Sequence, residues 1–181
     1  MNKITKNLTF LICFVFLHIL SYSAVKVPNE IKFDNEKYKL ALQDGDGVTT
    51  QKISEYLRSG EDLESYVKLI GILEFPNNTD VKIFAENLIL LHEQKYPLQK
   101  REMFMKSDGS EALISYIITD GDITEFNIFK LVNKSGHVVI YQFVFRNYSP
   151  KNDPQNEKWL ATLEENKDKW ITQMGKANFA K

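Results

Sequence analysis

Between Arg101 and Arg146 short apolar runs recur at regular spacing, and each is closed by a polar turn containing glycine: Ser107-Asp108-Gly109-Ser110, Asp120-Gly121-Asp122 and Asn133-Lys134-Ser135-Gly136. Glycine supplies the positive φ of a tight turn, and Asp, Asn and Ser hydrogen-bond their own backbone there. The stretch therefore predicts four strands in an antiparallel meander. In the last of them Val139, Tyr141, Phe143 and Phe145 share one face, while Val138, Ile140 and Val144 lie on the other with Gln142. A strand that is apolar on both faces is covered on both. The expected fold is α+β, an antiparallel meander sheet covered by helices.

Two segments have the period to supply the cover. From about Asp80 to Lys95, Val81, Phe84, Ala85, Leu88 and Leu91 form an apolar stripe, with Thr79 as the expected cap, Asp80 in the first turn and Pro97 ending the helix. Near the C-terminus Asp153 is placed to cap and Pro154 fits the first helical position. Trp159, Leu160, Leu163, Trp170, Ile171 and Met174 then recur at three- and four-residue steps, and Gly175 is the expected stop.

Upstream, Ile31–Phe33 and Tyr38–Leu42 flank Asp34-Asn35-Glu36-Lys37 as a small hairpin, which Asp44-Gly45-Asp46-Gly47 ends. Tyr66–Phe75 reads as a strand, broken only by Lys68, Gly71 and Glu74. Val48–Arg58 is ambiguous between strand and helix: Ile53, Tyr56 and Leu57 fit a helical step, but Thr49, Thr50, Ile53 and Tyr56 favour a strand. A strand is the expectation.

The N-terminus adds an address. Lys3 and Lys6 precede an apolar run from Leu8 to Leu20, and Ser21-Tyr22-Ser23-Ala24 supplies small residues for a signal peptidase. Residues 1–23 are expected to leave, with the cut after Ser23 or one residue later, so that 24–181 forms a single α+β domain. An uncleaved anchor is the alternative, but the run is shorter than the roughly 20 residues that span a bilayer. Cleavage would remove Cys13, and with it the only thiol. Loss of Lys3 and Lys6 would take the formal charge from −1 to −3, which gives no electrostatic case for nucleic acid. The expected location is the bacterial periplasm or the medium, with membrane contact only through the leader before cleavage.

The order of elements resembles the α/β/α sandwich shared by the PsbP and Mog1 proteins. It also resembles a group of uncharacterised exported bacterial proteins with a Gly-Glu pair ahead of an aromatic residue at the head of a strand. Here Gly60, Glu61 and Tyr66 hold those positions. The likeness implies a binding or assembly role and carries over no functional residue.

The chemistry of the residues agrees with that direction. No Gly-x-Ser-x-Gly elbow is present, and only His92 and His137 remain after cleavage as candidate general bases. Two separated histidines without cysteine do not make a zinc set. Asp44-x-Asp46 and Asp120-x-Asp122-x-Thr124-Glu125 alternate carboxylates as calcium loops do, but Val48, Thr49 and Glu125 break the EF-hand pattern, so hairpin turns are expected. Glu61, Asp62 and Glu64 read as a solvated turn. Tyr56, Tyr66, Tyr116, Tyr141 and Tyr148, beside twelve Phe, exceed what a minimal core requires. The expectation is an exported, non-enzymatic protein, free of metal and cofactor, that binds another protein or a small apolar ligand. The alternatives are a small secreted hydrolase using His92 or His137 with carboxylates, and an envelope assembly that pairs through an edge strand.

Overall fold

A computed structural model describes residues 24–97, 99–150 and 153–180, so the expected leader and its cysteine lie outside the described residues. Among the described residues the elements run β1 (Glu30–Phe33), β2 (Glu36–Asp44), β3 (Lys52–Arg58), β4 (Lys68–Phe75), α1 (Val81–Lys95), β5 (Arg101–Met105), β6 (Glu111–Asp120), β7 (Ile123–Lys134), β8 (His137–Asn147) and α2 (Pro154–Lys176). The strands form one sheet in the order β1-β2-β3-β4-β8-β7-β6-β5, antiparallel throughout. The fold class is α+β, as the pattern predicts.

Topology follows from where α1 falls. After β4 the chain is in the middle of the sheet, and α1 carries it across β7 and β6 to the far edge, where β5 begins. The meander then walks back until β8 pairs with β4, from Lys68↔Phe145 to Phe75↔Val138. α2 returns over the opposite face, against β8, β7 and β6. β8 is thus buried on both sides, which is what its two apolar faces require.

The sheet also curls. β1 and β8 are four strand steps apart, about 19 Å if the sheet were flat. Yet the Phe33 and Phe143 rings lie 4.9 Å apart. A register shift between Leu40 and Leu42 in β2 bends the N-terminal hairpin inward, as a bulge does. The concave side so formed holds the larger core, where Tyr38, Tyr56, Ile70, Ile72, Tyr141 and Phe143 meet Trp159, Leu163, Trp170 and Met174 of α2. Trp159 stacks on Phe145 at 5.2 Å, and Trp170 lies against both Phe143 and Phe145. On the other face Val81 and Ala85 of α1 pack on Ile114, Phe129 and Leu131.

Several local expectations are corrected. The cap of α1 is Asp80, not Thr79: its backbone is extended and its Oδ1 accepts from Ile83 N at 2.9 Å. Leu91 leaves the apolar stripe for solvent, and His92 takes a buried place instead. Leu160 is also exposed. α2 runs through Gly175 to Lys176 and ends on Ala177, because Gly175 lies over Leu113 where the helix still has sheet beneath it. Val48–Arg58 resolves to strand only from Lys52, since Asp46 holds residues 48–50 in a turn.

Candidate interaction surface

The two histidines lie on opposite faces of the sheet. His92, 7% exposed, sits under α1 with its ring 4.0 Å from that of Tyr116, and Arg101 Nη1 approaches its Nδ1 at 3.3 Å. Burial, and then the Arg101 charge, hold this imidazole below its ordinary pKa. His137 is 0% exposed on the α2 side, with Nε2 3.7 Å from Glu74 Oε2. Proton transfer to a substrate needs a group within hydrogen-bond reach of it. Neither ring is placed at the surface, and the fold does not bring the two together.

The acidic stretches are occupied by their own turns. Asp46 Oδ1 accepts from the N–H groups of Val48, Thr49 and Thr50, and Oδ2 accepts from the Thr49 hydroxyl at 2.6 Å. These donors push its carboxyl well below the usual range, the Thr49 hydroxyl most. Asp62 caps the turn at Glu64 and Ser65 in the same way. Glu61 instead pairs with Arg58 and accepts from Val67 N at 2.9 Å, which sets the entry to β4 just past Tyr66. Glu125 is paired with Arg146, whose guanidinium lies 3.9 Å above the Tyr66 ring. Among the described residues no three His, Asp or Glu are gathered closely enough to hold a metal.

Most of the aromatic surplus is core. Tyr56 and Tyr141 are fully buried, and Tyr56 donates to Pro28 O at 2.8 Å. Tyr66 is buried beneath Arg146, Tyr116 is half-buried beside His92, and only Tyr148 of the five is exposed. A hollow of about 580 Å³ between the β1–β2 turn and the C-terminal segment has Phe33 and Phe179 in it but is lined also by Lys32, Lys37 and Lys176. It is open, and it is not the dry pocket a small apolar ligand prefers.

Three of the most exposed large aliphatic side chains stand together on α1. Ile83, Leu90 and Leu91 are 57%, 51% and 63% exposed. At about 100° per residue they share one arc of the helix with Asn87 and Gln94, and that arc carries no charge. Lys82, Glu86 and Glu93 occupy the flank nearer β5, where Glu93 pairs with Arg101 at 3.7 Å, and Lys95 stands on the other flank in the last turn. An uncharged aliphatic arc between charged flanks, on a helix already packed on its opposite side, is the pattern of a second packing face.

The edge beside that flank is guarded. β5 is only five residues long, and just ahead of it the Gln99 carboxamide, taken with its nitrogen towards Ile117 O at 2.6 Å and its oxygen towards Thr119 N at 3.3 Å, is placed to bond both. A side chain thus takes the place of the next strand on β6. Met103 and Phe104 remain exposed on β5 itself.

Sequence reasoning missed Glu74. It is 0% exposed, with Lys52 Nζ 3.4 Å from Oε1 and Val25 N donating to Oε2 at 2.7 Å. The signal was present: Glu74 shares the parity of Ile70 and Ile72, so β4 alternation alone turns it inward.

Fold and surface together define an α+β protein with a helix on each face of an antiparallel sheet, one helix keeping an uncharged apolar face in solvent. The chain belongs to an uncharacterised protein family, whose model matches residues 25–179. No curated protein and no solved structure matches it. The likeness to PsbP and Mog1 is one of element order alone.

Proposed function

We propose that this protein is an exported, non-enzymatic binding module that docks another protein on the outer face of α1, around Ile83, Leu90 and Leu91. The observation that carries this reading is the exposure of three large aliphatic side chains in one uncharged arc of a helix whose other face is already packed. Such a face loses free energy to water, and burying it in a partner recovers about 25 cal/mol per Å². A protein partner fits better than a small apolar ligand, because the surface is convex and the open hollow at Phe33 and Phe179 is lined by polar and charged groups as well. Export rests on the leader: Lys3, Lys6, the apolar run and the small residues ending at Ala24.

The test is a native mass spectrum of the protein purified from its own host, beside that of an Ile83→Glu/Leu90→Glu double variant. The expected result is a complex with an added protein mass in the first sample and a bare chain in the second. Bare monomer from both, or equal complex in both, overturns the assignment of the α1 face.

A further inference from the structure

Glu74 presents a buried carboxylate to the first described residues of the chain. Its Oε1 lies 3.4 Å from the Lys52 ammonium of β3, its Oε2 accepts from the main-chain N–H of Val25 at 2.7 Å, and His137 of β8 lies 3.7 Å from the same Oε2. Gly47 closes the site from the β2–β3 loop, where a Cβ would stand 2.9 Å from Oε2. The arm is held along its length as well. Val25 is buried, Pro28 O accepts from the Tyr56 hydroxyl, and Asn29 O accepts from Leu40 N at 3.0 Å. A carboxylate removed from water is costly unless it is paired, and an ammonium is a far better partner than a neutral amide.

Val25 is also where the leader would be cut. Hydrolysis there adds water across one C–N bond, leaves a carboxylate on the departing leader, and leaves on the mature chain an amine that takes up a proton at neutral pH. A cut after Ala24 places that ammonium on the nitrogen already bonded to Glu74. A cut after Ser23 places it one peptide unit away, within about 3.8 Å of the Val25 nitrogen. We propose that Glu74 is the receptor for the processed amino terminus, so that removal of the leader adds a buried ion pair that the uncut chain lacks. This rests on the export reading of the leader.

The experiment takes the mature chain from its own host and locates its first residue by intact mass. A terminus at Ala24 or Val25 is expected; one elsewhere overturns the leader reading and this proposal with it. Given that terminus, two forms of the chain are compared, one with a free α-amine and one acetylated there. The free form is expected to melt a few degrees higher. Its α-amine should also react with an acylating reagent about tenfold more slowly folded than in urea, the protection a buried group receives. Glu74→Gln should abolish both differences. Equal melting with an α-amine as reactive folded as unfolded overturns the receptor and leaves export standing. Should Glu74→Gln fail to fold, the acetylation comparison on the unmutated chain decides alone.

Discussion

Asp34 ties three parts of the chain together. It begins a turn in which Asp34 and Asn35 both have positive φ, 53° and 60°, a conformation these two side chains tolerate better than most. Its carboxylate then receives Trp170 Nε1 at 2.7 Å, Lys68 at 3.2 Å and Lys169 at 2.5 Å. Burial pulls its pKa up, but the hydrogen bonds from Lys169, Trp170 and Lys68 more than offset this and hold it below 3.8. A depressed carboxylate adds stability above its unfolded pKa and loses it as the pH falls through the folded one. Asp34→Asn should therefore cost about 1–3 kcal/mol at pH 7, and the difference should shrink as the pH is taken below the unfolded value of 3.8 and through the lower folded one, read from urea unfolding across that range. His92 has the opposite charge type. With its folded pKa depressed, the native state binds fewer protons than the unfolded chain just below the ordinary value of 6.5, so this group destabilises as the pH falls through that value. His92→Gln should flatten the stability curve between pH 7 and 5. The Asp34-Asn35 turn was legible in the sequence because turn chemistry is local. The Trp170 partner, 136 residues away, was not, because nothing short of the folded sheet brings the two together.

At the scale of elements, α2 carries the larger core on Trp159 and Trp170. Trp170→Ala should cost about 3–5 kcal/mol, since the ring touches Phe143 and Phe145 and little can collapse into its place. Ile83→Glu and Leu90→Glu on α1 should change stability by no more than about 0.5 kcal/mol, because both side chains stand in solvent. Thermal melts of the three variants would separate the packed helix from the docking face. Periodicity found both helices within a residue or two. It did not choose the buried face of α1, because that helix is apolar around most of its circumference and the sheet decides which arc it covers. Leu91 was lost to solvent and His92 drawn under for that reason. α2, with charges on its outer side, left less freedom, and only Leu160 was misplaced.

For the molecule as a whole, both tryptophans report on α2, while far-ultraviolet dichroism sums both helices and the sheet. The curl that brings Phe33 to Phe143 joins the hairpin, the meander and α2 in one core. Equilibrium unfolding followed by the two signals should give coincident midpoints, and an earlier fluorescence transition would mean that α2 detaches first. The meander was legible because its turns are short and its pairing is local. The β4–β8 pairing was not, since it joins segments on either side of α1 and the rest of the meander, and the same holds for the curl. The apolar alternation of β8 announced only that something lies on each side.

Gln99 makes the overhanging end of β6 depend on one carboxamide. A chain with leucine there would carry two open main-chain valences on β6, one donor and one acceptor, facing outward in register. Its interior would be untouched, so its melting temperature would hardly change. The fault would appear as chains adding to one another with rising concentration, a failure of solubility and not of folding.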